Sequence, residues 1–163
     1  MKQAFAFNTS FTTKLNPQAI DNYQEFFNSI GVPSTSKLGV VFDIVHAFPM
    51  INGNGHGFTS DVLKKSAMSF LNSLIDINHD RNCVAGSIVK VDLIEDDVSP
   101  LTIRLVGVLD KQILQDWGVE DLIDEDWSME CLYNDYAYCI GSKIYKPQDV
   151  PEIDKQFAEI AEG

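Results

Sequence analysis

Residues 84–109 read VAGSIVKVDLIEDDVSPLTIRLVGVL, which is two apolar runs around an acidic turn. The runs Val84 to Leu93 and Leu101 to Leu109 are rich in β-branched residues, and EDDVSP between them carries the polar residues and proline typical of a turn. The pattern predicts a strand pair. The stretch Leu38 to Phe48, LGVVFDIVHAF, is also β-branched and aromatic and predicts a largely buried strand.

Helical spacing and further strand-like runs surround these strands. Apolar residues recur three and four positions apart in four segments, which predict helices: Asn16 to Ile30 with Gly31 as its stop, Thr59 to Leu74, Leu109 to Trp117 before Gly118, and Pro151 to Glu162. Two more strands are predicted at Trp127 to Cys131 and Tyr136 to Tyr145, around the turn Asn134-Asp135. Strands and helices do not alternate strictly, so we expect an α+β fold with a mainly antiparallel sheet or β-barrel core and short flanking helices.

Composition limits the classes of function. The chain has 163 residues, of which 45% are hydrophobic. This length and composition predict one globular domain over 1–163. Its net charge of -12 disfavours binding to nucleic-acid backbones and to anionic lipid. We expect no membrane span, since no stretch approaches the roughly 18 consecutive apolar residues required, and no signal peptide. The odd, scattered cysteines Cys83, Cys131 and Cys139 indicate reduced thiols in a cytosol-like compartment.

The chain has only three histidines, and each lies in a different context. His46 lies inside the strand-like VVFDIVHAF run, which favours a core or sheet-face histidine. His56 lies in NGNGHGF, a glycine-rich loop that lacks a phosphate-binding pattern and favours a flexible surface loop. His79 lies in DINHDRNC, where it is either a solvated turn residue or the candidate general base at neutral pH.

Metal binding is an alternative role for the segment DINHDRNC. Oxygen-bearing side chains occupy alternate positions, as in the start of a calcium loop: Asp76, Asn78, Asp80 and Asn82. The sixth position is Arg81 rather than glycine and the twelfth is Ser87 rather than glutamate, and both departures oppose that geometry. The pair His79 and Cys83 lacks a second ligand pair at zinc spacing. We therefore predict no metal site and no cofactor.

Ser128, in DEDWSMECLYNDY, is the candidate nucleophile. A serine hydroxyl is a poor nucleophile until a base takes its proton, so this interpretation needs a histidine within hydrogen-bond reach, and His79 is the natural partner. The alternative is an ordinary serine at a strand edge. Cys131 and Cys139 are disfavoured as nucleophiles, because a reactive thiol needs a nearby histidine and a lowered pKa.

Three blocks of the sequence together resemble the prohead (procapsid maturation) proteases of tailed bacteriophages, a serine protease family related in fold to herpesvirus assemblin. The blocks are 52–88, NGNGHGFTSDVLKKSAMSFLNSLIDINHDRNCVAGSI; 101–109, LTIRLVGVL; and 127–133, WSMECLY. The resemblance spans most of the chain. It implies an assemblin-like fold, with His79 as the catalytic histidine and Ser128 as the nucleophilic serine.

The third catalytic group stays open, since this fold family varies the residue that orients the imidazole. Asp80 adjoins His79, although consecutive side chains on an extended segment point to opposite faces. Glu130, two residues beyond Ser128, shares a strand face with it and is the runner-up. The acidic turn Glu95 to Asp97 is a further candidate.

The resemblance implies a serine endopeptidase that cleaves scaffold and major capsid proteins inside an assembling procapsid in the host cytoplasm. It is compatible with a homo-oligomer and implies neither nucleic acid nor membrane as a partner. The terminal Ile160-Ala161-Glu162 would suit self-processing, against the simpler interpretation of a frayed helix end. The alternative function is a noncatalytic structural or scaffold-associated protein of capsid assembly on the same fold.

Overall fold

The structure, a computed structural model, describes residues 13–48, 50, 57–128, 138–140 and 143–149. Helices in these ranges are α1 (Pro17–Asp21), α2 (Gln24–Ser29), α3 (Ser60–Ser66) and α4 (Lys111–Asp116), with 3₁₀ turns at Ala67–Phe70 and Pro147–Asp149. Strands are β1 (Lys37–His46), β2 (Leu74–Ile77), β3 (Asp80–Ile94), β4 (Thr102–Asp110), β5 (Tyr138–Ile140) and β6 (Lys143–Tyr145). The α+β class predicted from the sequence is confirmed.

An open, four-stranded antiparallel sheet with the order β1-β4-β3-β2 forms the centre. The strand pair predicted around EDDVSP is confirmed as β3 and β4, and the predicted strand at 38–48 is β1. Strands β5 and β6 form a separate hairpin within the run predicted as one strand, 136–145. The strand at 127–131 and the helix at 151–162 were also predicted, but 129–131 and 151–162 lie outside the described residues.

Both faces of the sheet are covered, which explains why β4 is apolar at most positions. On one face, Val41 and Val106 pack with Tyr23 and Phe27 from the helical segment before β1. On the other face, a larger cluster joins residues of the sheet to α3 and α4: Val40, Phe42, Ile103, Leu105, Leu109, Leu63 and Leu114. Successive side chains of β1 and of β4 therefore point alternately into two buried clusters, rather than alternately into the core and into solvent.

The first helical segment is broken in two. Asn16 caps α1 by accepting a hydrogen bond from the Ala19 amide (3.1 Å), and Gly31 ends the segment with φ +77°. Phe27 lies against the glycine at the start of β1, because a Cβ at Gly39 would lie 2.5 Å from Phe27 Cε1. The predicted helix is confirmed, with a break at Asn22.

The prediction of a helix as far as Leu74 is wrong. Thr59 caps α3, but the helix gives way to a 3₁₀ turn, and Leu74 begins β2 with 66% of its surface exposed. The Ser66 and Ser69 hydroxyls donate to the carbonyl oxygens of Val62 (2.7 Å) and Ser66 (2.6 Å). Such bonds compete with helical ones and weaken the helix here, although the apolar spacing continues.

A polar cluster crosses the face of the sheet that α1 and α2 cover. Arg104 on β4 lies between Asp43 on β1 and Asp92 on β3. Its Nε donates to Asp43 Oδ1 (2.7 Å) and its Nη2 to Asp43 Oδ2 (3.0 Å). Asp92 accepts from the Tyr23 hydroxyl (2.7 Å) and pairs with Lys90. This network ties the helical segment to three strands.

No helix in the described part of the chain is long and apolar enough to cross a membrane.

Candidate active site

His79 lies at the tip of the β2–β3 hairpin. Ile77 pairs with Asp80, so Asn78 and His79 form the connection, and both have positive φ, 56° and 58°. Two consecutive positive φ values are what a type I′ turn requires, and asparagine suits its first position. The turn leaves the His79 side chain exposed, where a reacting group can reach it.

Ser128 is held by the anchored residue before it. Trp127 exchanges two backbone hydrogen bonds with Thr13, of 2.8 and 2.9 Å, and its ring stacks on Phe42 at 5.0 Å and 24°. Leu15 in turn forms a β-bridge with Phe42 on β1. Trp127 is thus attached to the β1 edge of the sheet both by its backbone and by its side chain, and Ser128 follows directly.

The segment 13–16 acts as a strap between β1 and this anchor. The Thr13 hydroxyl donates to the Asp43 carbonyl oxygen (2.8 Å), at the point where a bulge interrupts the pairing of β1 with β4. On the other side, Lys14 Nζ lies 2.7 Å from Asp126 Oδ1. Ion pairs this exposed contribute little, so the backbone bonds and the stacked ring are the main restraints on Ser128.

Ser128 and His79 meet across the ends of the sheet. Ser128 Oγ lies 2.7 Å from His79 Nε2, although 49 residues separate them in the sequence. His79 lies in the connection between β2 and β3, at the far side of the strand order from β1, and Ser128 follows Trp127, which is attached to β1 through the strap. With the imidazole proton on Nδ1, the hydroxyl donates to Nε2, which is the arrangement required for a base that activates a serine.

The groups considered for the third role are placed differently. Asp80 Oδ1 accepts hydrogen bonds from the Asn82 amide (2.9 Å) and from Asn82 Nδ2 (3.1 Å). In the acidic turn Glu95 to Asp97, Glu95 pairs with Lys64 at 2.8 Å. Glu130 lies outside the described residues. The assignment of Asp80, with Glu130 as the runner-up, therefore stays a prediction.

Of the other two histidines, His46 is the one that the structure describes. His46, half-buried at the end of β1, has Nδ1 2.7 Å from Thr102 Oγ1. Thr102 Oγ1 donates to the Pro100 carbonyl oxygen (3.0 Å), so His46 Nδ1 is the donor in the other bond. This matches the predicted sheet-face histidine. His56 lies outside the described residues.

Neither metal binding nor thiol chemistry finds support in the described residues. The segment weighed against a calcium loop in the sequence, Asp76 to Asn82, forms the end of the β2–β3 hairpin and its turn. Across the described ranges, no group of three or more His, Cys, Asp or Glu side chains is arranged to hold a metal ion. Burial, with the charge of Asp80, raises the pKa of the Cys83 thiol, which keeps it protonated and unreactive.

Two supports of this site were missed by sequence reasoning. The strap of residues 13–16 pairs with residues more than a hundred positions away, and no local pattern predicts such a pairing. The left-handed turn had a signal, because Asn78-His79 separates two strand-like runs by two residues, which is the spacing of a tight hairpin.

A serine hydroxyl hydrogen-bonded to an imidazole is one of the features that serine hydrolases share. Comparison with known proteins found no relative of this chain. No family model matches the chain, and neither a curated protein nor a solved structure matches it.

Proposed function

We propose that this chain is a serine endopeptidase in which Ser128 is the nucleophile and His79 the general base. The observation that carries the proposal is the 2.7 Å separation of Ser128 Oγ and His79 Nε2. Exposure of His79 adds to it, since the pair is accessible from solvent. A hydroxyl and an imidazole from distant parts of the chain form this contact only if the fold positions both of them precisely. A serine without a role in the site needs no such positioning.

The chemistry is acyl transfer in two steps. His79 Nε2 takes the Ser128 hydroxyl proton as Oγ attacks a peptide carbonyl, and the imidazolium then donates that proton to the leaving amine. Water, deprotonated by the same nitrogen, attacks the acyl-enzyme and releases the acid while Oγ recovers its proton. Backbone N–H groups beside the serine would stabilise the oxyanion in both steps.

The sequence resemblance supports a more specific role, the maturation of phage procapsids. The order His79 then Ser128, the blocks around them and the acidic composition agree with a protease that acts on scaffold and major capsid proteins rather than on nucleic acid. An assemblin-like fold is part of this proposal. It is supported by the mainly antiparallel sheet and by the contact between Ser128 and His79.

Cleavage of the partner proteins tests the proposal. The chain is co-expressed with its cognate scaffold and capsid proteins, as wild type, Ser128→Ala and His79→Ala, and the products are identified by mass spectrometry. A matched control is Ser29→Ala, which makes the same change at an exposed serine on α2. We expect defined cleavages with wild type and Ser29→Ala and none with the other two. Identical products in all four would refute the protease function and favour the noncatalytic assembly protein.

A further inference from the structure

We infer that Asn78 is a positioning residue for His79, because its left-handed backbone conformation sets the direction of the imidazole. The inference rests on the proposed function, since it concerns how the base of that site is held. It differs from a catalytic triad, in which a carboxylate orients the histidine. Here the orienting element is the tight turn of the β2–β3 hairpin.

The backbone of the turn sets the direction in which the His79 side chain leaves the chain. Asn78 has φ 56° and His79 has φ 58°, while the flanking residues Ile77 and Asp80 are paired in the sheet. A side chain leaves the backbone along its Cα–Cβ bond, and that direction is fixed once both turn residues are left-handed. Positive φ is uncommon outside glycine, and asparagine is among the residues that tolerate it best, whereas a β-branched residue there is an outlier.

The contacts around the imidazole agree with this role. Among the described residues, the recorded hydrogen bond of the His79 ring is the one with Ser128. The neighbouring carboxylate acts on the hairpin itself, since Asp80 Oδ1 accepts from the Asn82 amide and from Asn82 Nδ2. Asp80 thereby fixes the strand that leaves the turn, and the turn fixes His79.

Two substitutions at the same position separate backbone conformation from side chain. Asn78→Gly keeps the left-handed conformation accessible, and Asn78→Val strongly disfavours it. The readouts are the rate of phosphonylation of Ser128 by a fluorophosphonate and kcat and KM for p-nitrophenyl acetate. We expect Asn78→Gly to stay near wild type. Asn78→Val should lose about 10²-fold in phosphonylation rate and in kcat, because misplacing a catalytic group by about 1 Å costs that much.

Stability must be measured beside reactivity. Rates are taken well below the melting temperature of each variant, and urea unfolding shows the folded fraction. A merely structural role for Asn78 predicts a lower melting temperature with an unchanged rate per folded molecule, and that result would overturn the inference. Equal losses in Asn78→Gly and Asn78→Val would also overturn it, because the side chain and not the turn would then matter.

Asp80→Asn is the comparison that tests the carboxylate. Asparagine retains the Oδ1 acceptor for Asn82 but removes the negative charge. A loss of phosphonylation rate as large as that of Asn78→Val would show that the Asp80 carboxylate, and not the turn, orients His79 and would overturn the inference. A smaller loss would uphold it.

Failure of the proposed function is a distinct result. If wild type is not phosphonylated on Ser128, the hydrolase proposal fails, and the position of His79 is then followed by ¹H–¹⁵N spectra of its imidazole. An imidazole signal that shifts in Asn78→Val and not in Asn78→Gly would uphold the positioning role. Identical imidazole spectra in all three proteins would overturn it.

Discussion

Replacing Arg104 with methionine should destabilise the fold through the pair that it forms with Asp43. Two hydrogen bonds, of 2.7 and 3.0 Å, join the guanidinium to both carboxylate oxygens. The side chains are only 17% and 23% exposed. Methionine fills similar space but leaves Asp43 and the neighbouring Asp92 without the cation between them. The bulge of β1 that holds the strap of residues 13–16 loses its support as well.

The magnitude follows from the degree of burial. An exposed ion pair contributes about 0 to 1 kcal/mol, and breaking a fully buried pair costs about 3 to 5 kcal/mol. A bidentate pair that is mostly shielded lies between these limits, so we expect Arg104→Met to cost about 2 to 3 kcal/mol. For a chain of this size that corresponds to a fall of about 5 to 10 °C in Tm.

The loss should depend on pH. Burial alone would raise the pKa of Asp43, but the hydrogen bonds and charge of Arg104 outweigh it and hold the pKa below its ordinary value. A carboxylate with a lowered pKa stabilises the fold fully above the pKa of the unfolded chain, about 3.9. That stabilisation disappears as the pH falls through the lower pKa of the folded state. In Arg104→Met burial is no longer opposed by the guanidinium, so the difference in stability between the two proteins should narrow as the pH falls toward the lowered pKa of Asp43 in wild type.

Urea unfolding followed by circular dichroism at pH 7 and pH 3 measures both effects. Arg104→Met, Asp43→Asn and the double variant form a thermodynamic cycle. Lys37→Met is the matched control, because Lys37 pairs with Asp110 at 3.2 Å in a more exposed setting and should cost under about 1 kcal/mol. If Arg104→Met costs no more than this control, or if its cost is unchanged at pH 3, the reasoning is wrong.

Three further substitutions test other parts of the fold. Trp127→Phe keeps a ring on Phe42 and removes a buried indole N–H for which the described residues offer no hydrogen-bond partner. The free energy of unfolding, measured in urea, should therefore change by under about 1 kcal/mol, whereas Trp127→Ala should lower it by about 3 kcal/mol. Gly86→Ala should cost about 3 kcal/mol or more in the same assay, because its Cβ would collide with the Val108 carbonyl oxygen. Burial and its hydrogen-bonded carboxylate raise the pKa of Tyr23 to about 12, so spectrophotometric titration should show a tyrosine ionising there that is lost in Tyr23→Phe.

The sheet was predictable because its strands carry a local signal. The runs in β3 and β4 are β-branched, apolar and separated by a proline-containing acidic turn, so both their class and their adjacency follow from neighbouring residues. The prediction of a helix as far as Leu74 failed because the spacing of apolar residues carries no information about hydrogen bonds that compete with those of the helix. Serine hydroxyls bond to carbonyl oxygens at the end of α3, the chain continues as a 3₁₀ turn, and of the predicted apolar face only Leu74 enters β2.

The pairing of Ser128 with His79 was predicted from the sequence, but the way in which the chain builds the contact was not. The choice of Ser128 and His79 followed from what a nucleophile and a base require, together with the resemblance, yet their distance depends on tertiary structure. The anchor of Ser128 depends on Thr13, and a pairing over that distance leaves no periodic pattern in the sequence. The turn at Asn78 lies between these two cases. The two-residue length of the connection is a local feature of the sequence, but the positive φ values are seen only in the structure.

Reaction with a fluorophosphonate, followed by intact mass and peptide mapping, tests most directly whether His79 activates Ser128. We predict a single adduct on Ser128 in wild type, no adduct in Ser128→Ala, and a rate lower by at least about 10²-fold in His79→Ala. An adduct that forms elsewhere, or one that forms on Ser128 at the same rate without His79, would contradict a hydroxyl activated across the 2.7 Å contact.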